Sequence, residues 1–180
     1  YLQITEPSPW VCRFAPLVPE NGPVLDVACG NGRHTRLFLE RGHPVVAVDR
    51  NVEPVADLAV GANAEIIGAD LEDGGDWPLA GRAFAGVVVV NYLYRPLFPH
   101  ILDAVADGGV LIYETFARGN EKYRRPRNPD HLLMNDELIE LVKDRFRIVC
   151  FEQGFIEKGP LPGVIQRICA VNGPADPCPV

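Results

Sequence analysis

Several common signals are absent from this 180-residue chain, and each absence excludes a class of protein. The five cysteines are scattered without a Cys-x-x-Cys pair, which argues against a zinc site and a disulfide framework. No stretch approaches the ~18 consecutive apolar residues that a membrane span requires. The net charge is −7 and no extended basic face is present, so phosphate-backbone binding is disfavoured. We therefore predict no metal site, no nucleic-acid partner and no membrane partner, and we expect free thiols in a reducing, cytoplasmic compartment.

The composition that is present suits one folded domain. An apolar content of 47% over 180 residues is enough for a sizeable core. We predict a single domain over residues 1–172, with an N-terminal cap at 1–22 and a lid segment at 115–134, followed by a flexible tail at 173–180. The chain begins at Tyr1 rather than methionine, so we expect a short N-terminal piece to precede it. A monomer or homodimer that acts on a small molecule fits these bounds.

Apolar runs alternate with amphipathic stretches along the chain, which predicts an α/β fold with a mainly parallel sheet. Residues 86–91 are β-branched and apolar on both faces, as expected of a central strand that helices cover on both sides. The short connection at 158–163 contains proline and glycine, which indicates a closing antiparallel hairpin. We thus predict a Rossmann-like, doubly wound seven-stranded sheet, mostly parallel with an antiparallel C-terminal hairpin strand. The strands are expected near 24–28, 44–48, 64–68, 85–91, 109–115, 146–152 and 164–171.

Helical spacing and capping signals predict helices between these strands. The first spans 33–41 and stops at Gly42, and the second spans about 52–60. A third carries apolar residues at helical spacing: Leu97, Phe98, Ile101, Leu102 and Val105. The fourth has Asn135 as its N-cap, and its inner face carries Leu138, Leu141 and Val142.

The most informative stretch, residues 24–33, is an apolar run that breaks into a glycine loop and then opens a helix. At Gly30 and Gly32 the missing Cβ lets a ligand approach the main chain, and the helix N-terminus offers free N–H groups. A dinucleotide fingerprint would place a third glycine at Thr35, and it has no use for the acid Asp26 inside the strand. Both departures argue against NAD. An acid at that place suits a ligand with cationic groups, such as the ammonium and sulfonium of S-adenosylmethionine.

In this pattern the segment resembles motif I of the class I S-adenosylmethionine-dependent methyltransferases, and the resemblance extends over about residues 23–171. It implies that Asp49, at the end of the second strand, accepts hydrogen bonds from the ribose hydroxyls. It also implies that Asp70 lies beside the adenine amino group, with Leu71 against the ring. Two alternatives stay open, because Asp49 can cap the following helix and Asp70 can be a solvated turn residue. The cofactor contacts that the resemblance implies are Asp26, Ala28, Gly30, Gly32, Asp49, Arg50, Asp70, Leu71 and Asn91.

The fourth strand ends in Asn-Tyr-Leu-Tyr at 91–94, the region where the resembled family brings methyl donor and acceptor together. Enzymes that methylate bases or glutamine amides carry prolines after the first of these residues, and this chain has none there. The resemblance therefore disfavours base or glutamine N-methylation. It implies that Tyr92 contacts the reacting groups and that Tyr94 contacts the acceptor, although a strand-ending turn with half-buried aromatics is an equal alternative.

The lid segment is long for a connection in a compact α/β domain, and long connections are often binding loops. Between Thr115 and His131 it carries five cations against two acids, and arginine forks suit carboxylate recognition. We therefore predict an anionic acceptor, with a solvated, surface-paired loop as the alternative. The segment's start and end resemble a group of small bacterial methyltransferases similar to the tellurite-resistance methyltransferase. The predicted acceptor-binding arginines are Arg118, Arg124, Arg125 and Arg127.

The implied reaction is methyl transfer to a small anionic or soft-nucleophile acceptor, and positioning supplies most of the catalysis. A base is needed only if the acceptor must lose a proton. His131 is the preferred candidate, followed by Tyr123, Tyr113 and Glu114. The predicted catalytic set is His131, Tyr92 and Tyr123.

Two interpretations from other classes accompany this one. The chain can be a cofactor-binding regulatory or partner-dependent subunit that has the same fold and no turnover of its own, or it can be a nicotinamide oxidoreductase, which Thr35 and Asp26 oppose. Trp10 in the N-terminal cap is expected to anchor a short helix rather than to wall the cofactor pocket. Cys29, inside the glycine loop, is expected to pack into the turn rather than to act as a nucleophile, because no histidine is placed to activate it.

Overall fold

The structure is a computed structural model that describes residues 4–61, 63–157 and 162–173. Its seven strands form one sheet in the order β3-β2-β1-β4-β5-β7-β6. The first five strands pair in parallel, and β7 is antiparallel to both β5 and β6. The predicted fold class is therefore confirmed. The strands are β1 Val24–Val27, β2 Val45–Asp49, β3 Ala64–Gly68, β4 Phe84–Val90, β5 Val105–Phe116, β6 Phe146–Ile156 and β7 Gly163–Asn172.

Short helices connect the parallel strands, and 3-10 turns extend several of them. Among the described residues, no helix is both long enough and apolar enough to cross a membrane. The predicted helix at 52–60 forms as a 3-10 helix, Glu53–Val60. The predicted tail lies outside the described residues apart from Gly173, as does most of the 158–163 connection. The α-helices are α1 Pro9–Phe14, α2 Arg33–Glu40, α3 Phe98–Asp103 and α4 Glu137–Val142.

The central strands are buried on both faces. Side chains of β1 and β4 alternate between two apolar clusters, one packed with α3 and α4 and the other with α1 and α2. Val87 and Val89 belong to the first cluster, and Val88 and Val90 to the second. Since both faces exclude water, the near-continuous valine run follows from the position of β4 between two layers of helices.

Two predicted boundaries are wrong. Val105 was placed on a helix, but it begins β5, which pairs with β4 through a register shift between Phe84 and Gly86. Asn172 holds this irregular start because its Nδ2 donates to the carbonyl oxygen of Val105 at 2.7 Å. Apolar spacing alone does not decide this position, because an apolar residue at 105 fits both a helical stripe and the start of a strand.

Asn135 does not cap the fourth helix. Asp136 precedes α4 with φ +59° and makes no side-chain cap, and its N–H donates to the Gln153 side chain. The carboxylate of Glu137 instead reaches back and accepts the N–H of Met134 at 2.7 Å. An acid in the first turn therefore satisfies a backbone donor that lies outside the helix, a role that the N-cap rule did not anticipate.

The N-terminal cap is anchored by Trp10, as expected. Its side chain is 2% exposed, and its indole N–H donates to the carbonyl oxygen of Ile168 on β7 at 3.3 Å. The guanidinium of Arg167 lies 4.6 Å from the centre of the Trp10 ring. Burial of a large aromatic with a satisfied N–H and a stacked cation ties the first helix to the far half of the sheet.

The backbone before α1 is held by the loop and first turn that follow β1. Asn31 Nδ2 donates to the carbonyl oxygen of Ile4 at 2.8 Å, and Arg33 Nη1 donates to that of Glu6 at 3.0 Å. The N–H of Ser8 donates to Nε2 of His34 at 3.1 Å. His34 must be neutral to accept this bond, and burial, with a smaller contribution from Arg33, lowers its pKa to about 3.

The first prediction concerns stability at mildly acidic pH. The pKa of His34 is depressed in the folded state, so below its ordinary value of 6.5 the unfolded chain takes up a proton that the folded chain does not. This group therefore lowers stability as pH falls, by about 2 kcal/mol between pH 7 and pH 5. His34→Gln removes this titration and keeps an acceptor. Urea unfolding at pH 7 and pH 5 measures the free energy of unfolding of both proteins. The difference between wild type and variant should shrink by that amount at pH 5, and an equal change in both proteins would refute the depressed pKa of His34.

The second prediction separates backbone strain from close packing in the glycine loop. Gly32 has φ +73°, and a Cβ there would lie 2.5 Å from Cγ1 of Val55. Gly42 has φ +86°, and its Cβ would meet nothing within 4 Å. Gly42→Ala should cost about 1 kcal/mol from left-handed strain alone. Gly32→Ala should cost ~1–3 kcal/mol more because Val55 must move. Denaturant unfolding measures both, and equal losses would exclude the packing contribution.

Candidate cofactor site

The glycine loop follows β1 at the carboxyl edge of the sheet. Ala28, Gly30 and Gly32 all have positive φ, which turns the backbone sharply between β1 and α2. A Cβ on Gly30 would meet no atom within 4 Å, so this face of the loop is open to a ligand. The loop presses Cys29 inward, where its side chain is buried and where burial raises the pKa of its thiol well above the usual range. Cys29 therefore packs into the turn as expected.

Asp49 ties the second strand to this loop. One of its carboxylate oxygens accepts the N–H of Gly30 at 2.9 Å, and the other accepts the N–H of Asn51 at 2.9 Å. Asn51 in turn accepts the N–H of Glu53 at the start of the 3-10 helix. Val52 is the N-cap of that helix and has no side-chain cap, so Asn51 satisfies one N–H of the first turn and Asp49 positions the loop. Each carboxylate oxygen of Asp49 has a further lone pair for a ligand hydroxyl.

Two cavities open on either side of Ala28, which lines both. The larger, of about 430 Å³, lies over the ends of β2, β3 and β4, and we call it the outer cavity. The smaller, of about 180 Å³, lies between the glycine loop and the N-terminal segment, and we call it the inner cavity. The outer cavity is lined by Asp49, Arg50, Ala69, Asp70, Leu71, Glu72, Tyr92 and His131. The inner cavity is lined by Ile4, Cys29, Gly30, Asn31, Arg33, His34, Val90 and Asn91.

Most of the predicted cofactor residues therefore meet at one edge of the sheet. Asp26 and Gly32 are the exceptions, because neither lines the two cavities. Asp26 is 2% exposed, and Thr35 Oγ1 donates to its carboxylate at 2.6 Å. Burial raises the pKa of Asp26 to about 6, although the Thr35 hydroxyl opposes the shift. Asp26 therefore lies beneath the glycine loop. Thr35 stands where a dinucleotide fingerprint would have its third glycine, and its hydroxyl supplies this hydrogen bond.

The candidate bases occupy different environments. Tyr113 is fully buried, and its hydroxyl donates to the carbonyl oxygen of Tyr92 at 2.9 Å. Glu114 accepts a hydrogen bond from Ser8 Oγ at 2.8 Å and pairs with Arg167 at 3.2 Å. Burial, with a contribution from the Glu72 carboxylate, raises the pKa of Tyr92 and keeps its phenol protonated at neutral pH. Among the predicted catalytic residues, Tyr92 and His131 come together in the outer cavity.

The lid segment is fastened at its base, and its arginines do not line either cavity. Ala117 and Leu133 form a bridge there, and Leu133 N donates to the carbonyl oxygen of Phe116. Arg124 lies over the Phe116 ring, and Tyr123 packs against Phe155 with ring centres 4.6 Å apart. Arg118, Arg125 and Arg127 are exposed, and Tyr94 packs half-buried against the core. The acceptor roles predicted for these residues stay predictions.

Sequence reasoning missed several residues of this site. Arg33, Asn31 and His34 line the inner cavity and also hold the N-terminal segment. Their position directly after the glycine loop was the available signal. Glu72 was not singled out, although it follows the predicted Asp70-Leu71 pair by one residue. No group of three His, Cys, Asp or Glu side chains within the described ranges is arranged to hold a metal ion.

Comparisons with known proteins find methyltransferases that are similar to this chain in sequence and in fold. Residues 24–109 match the family model described as a methyltransferase domain. A trans-aconitate 2-methyltransferase from Sinorhizobium fredii is 28% identical over 166 residues, which cover 88% of this chain and 58% of that protein.

Solved structures share the fold at lower identity. TehB from Haemophilus influenzae superposes with a TM-score of 0.70 at 17% identity, over 91% of this chain and 61% of that one. A Burkholderia thailandensis 1,6-didemethyltoxoflavin-N1-methyltransferase gives 0.69 at 20% identity, over 91% of this chain and 76% of that one. The chain thus spans less than two thirds of the length of the trans-aconitate enzyme and of TehB. Residues 24–109 thus match a methyltransferase domain, and the chain shares the Rossmann-like fold of the class I S-adenosylmethionine-dependent methyltransferases, as predicted.

Proposed function

We propose that this protein is an S-adenosylmethionine-dependent methyltransferase that acts on a small, carboxylate-bearing acceptor. The observation that carries the proposal is the pair of cavities that adjoin at Ala28, with the open face of Gly30 on one side and Asp49 on the other. Ligands of open parallel sheets bind at this carboxyl edge. A cytoplasmic location and a monomeric or homodimeric state belong to the same proposal.

The two cavities fit the two halves of the cofactor. The outer cavity carries the acids Asp49 and Asp70, which are suited to the ribose hydroxyls and the adenine amino group, and Leu71 offers an apolar surface to the ring. In the inner cavity, Arg33 and Asn31 are suited to a carboxylate, and the buried charge of Asp26 beneath the loop favours a cationic ligand. The sulfonium would then lie near Ala28, between Gly30 and Asn91.

Two side chains that line the outer cavity support an anionic acceptor: the cation Arg50 and the hydrogen-bond donor His131. The acids Asp49 and Asp70 of that cavity are assigned above to the cofactor, as is Arg33 of the inner cavity. The relative whose name gives a carboxylate substrate, trans-aconitate, is 28% identical to this chain. These two observations favour a carboxylate over the amine acceptors named for other matching structures, such as the glycopeptide N-methyltransferase MtfA.

Bound S-adenosylmethionine supplies a methyl group made electrophilic by its sulfonium. A carboxylate acceptor arrives ionised and has no proton to lose, so no side chain needs to act as a base. Arg50 and His131 would then bind the acceptor's charge, and Tyr92, which stays protonated, would donate a hydrogen bond. Orientation of the two reactants accounts for the catalysis, an effect that reaches roughly 7–11 kcal/mol in favourable intramolecular cases.

The third prediction tests the cofactor. S-adenosylmethionine and S-adenosylhomocysteine should raise the melting temperature with concentration, and NAD should not. Asp49→Asn places an amide against the Gly30 and Asn51 donors, so we expect at least about tenfold weaker S-adenosylhomocysteine binding by calorimetry, which is ~1.4 kcal/mol. Asp57→Asn is the matched control, because Asp57 pairs with Arg36 at the exposed surface. Equal affinities in the two variants would contradict the role of Asp49.

The fourth prediction tests the acceptor. With S-adenosylmethionine present, unsaturated di- and tricarboxylates should yield S-adenosylhomocysteine, and neutral esters or amides of the same skeletons should not. Arg50→Gln should raise KM for the carboxylate at least about tenfold, since a charge-assisted hydrogen bond is worth ~1.5–3 kcal/mol. Arg41→Gln, on an exposed residue that lines neither the outer nor the inner cavity, is the control. Cofactor binding without turnover on any carboxylate would favour the regulatory-subunit alternative.

A further inference from the structure

The residues that line the outer cavity mostly follow strand ends. His131 instead comes from the lid segment and forms a separate wall of the cavity. Its side chain is exposed, whereas the next residue, Leu132, is fully buried against Phe116 and Ile165. The position of the imidazole therefore depends on how the backbone on either side of it is held.

Arg95 holds that backbone on both sides. Its Nη1 donates to the carbonyl oxygen of Asp130 at 2.8 Å, and its Nη2 donates to that of Leu132 at 2.9 Å. The same guanidinium binds the carboxylate of Glu137 through Nε at 2.7 Å and Nη2 at 2.9 Å. We propose that Arg95 is a positioning residue that fixes His131 in the wall of the outer cavity, an inference that rests on the proposed function of that cavity.

The location of Arg95 links this wall to the segment after β4 that carries Tyr92. It begins the 3-10 helix Arg95–Leu97 just after β4, three residues beyond Tyr92, which lines the same cavity. Glu137, its partner, begins α4 and also accepts the N–H of Met134. One guanidinium thus joins the end of β4, both flanks of His131 and the start of α4.

The arrangement requires arginine rather than a charge alone. The planar fork presents five N–H groups in fixed directions, and here it serves two carbonyls and a carboxylate at once. A lysine ammonium would keep the ion pair with Glu137 but has no fork to reach both carbonyls. Arg95 is about one third exposed, so the ion pair itself contributes modestly to stability. Its main effect is to fix the backbone on both sides of His131.

The backbone near His131 contains two N–H groups that report on this clamp. His131 N donates to the carbonyl oxygen of Asn128, and Leu132 N donates to that of Pro129. Both belong to the short 3-10 helix Pro129–His131. If Arg95 fixes this turn, Arg95→Lys should open it, and these two amides should exchange hydrogen at least about tenfold faster without any ligand.

The experiment compares Arg95→Lys with Arg82→Lys. Arg82 makes the same two-bond contact with a carboxylate, that of Glu65, at a site that lines neither the outer nor the inner cavity. Hydrogen exchange is measured on both proteins without ligand, and S-adenosylhomocysteine is then titrated by calorimetry. His131 lines the outer cavity, which is assigned to the adenosine half of the cofactor, so a displaced His131 should also weaken cofactor binding. We therefore expect faster exchange at His131 and Leu132 and about fivefold weaker binding in Arg95→Lys, with neither change in Arg82→Lys.

A double variant separates positioning from general damage to the fold. If Arg95 acts through His131, then Arg95→Lys combined with His131→Ala should bind S-adenosylhomocysteine as His131→Ala does alone. Additive losses, or unchanged exchange in Arg95→Lys, would overturn the proposal. Failure of the wild-type protein to bind S-adenosylhomocysteine would refute the proposed function instead, and the ligand-free exchange would still show whether Arg95 fixes the turn.

Discussion

Burial of the central strands on both faces is the constraint on which the rest of this structure depends. Helices cover β1 and β4 above and below, so their side chains can only pack. Chemistry is therefore confined to the carboxyl ends of the strands, where the backbone turns and polar side chains reach water. Asp49 ends β2 and Asn91 follows β4, which are strands of this kind, and Asp70 follows the more exposed β3. The outer and inner cavities lie at this edge, where ligands of open parallel sheets bind.

One charge departs from this arrangement, and its cost is informative. Asp26 lies inside β1, and burial raises its pKa to about 6. The folded chain therefore holds a proton there up to a higher pH than the unfolded chain, so ionised Asp26 lowers stability near neutral pH. The Thr35 hydroxyl offsets part of this cost, and a cationic ligand above the loop would offset more. A destabilising acid beneath a glycine loop fits a site for an ammonium and a sulfonium, and it does not fit one for a pyrophosphate.

Sequence patterns predicted the strands and the glycine loop because each rests on a local rule, whereas the roles of the strand-end acids came from the family resemblance. A doubly buried strand must be apolar, and a turn with positive φ favours glycine. The prediction for Val105 was wrong because no local rule applies there. The start of β5 has a register shift against β4, and it is held by Asn172 from the far end of the chain. Arg95 was missed for the same reason. Its three partner residues lie 35 to 42 residues away in sequence, and no local spacing shows them.

The lid segment is held at both ends. Its cations predicted an anionic acceptor, and its two ends are joined by the Ala117–Leu133 bridge. Arg124 packs over Phe116, and the guanidinium of Arg95, outside the segment, clamps its second half. The segment is thus built as a fixed wall that contributes His131. If a carboxylate binds here, its charge meets Arg50 and His131 on the pre-formed cavity surface, which removes the ordering cost that a closing loop would add.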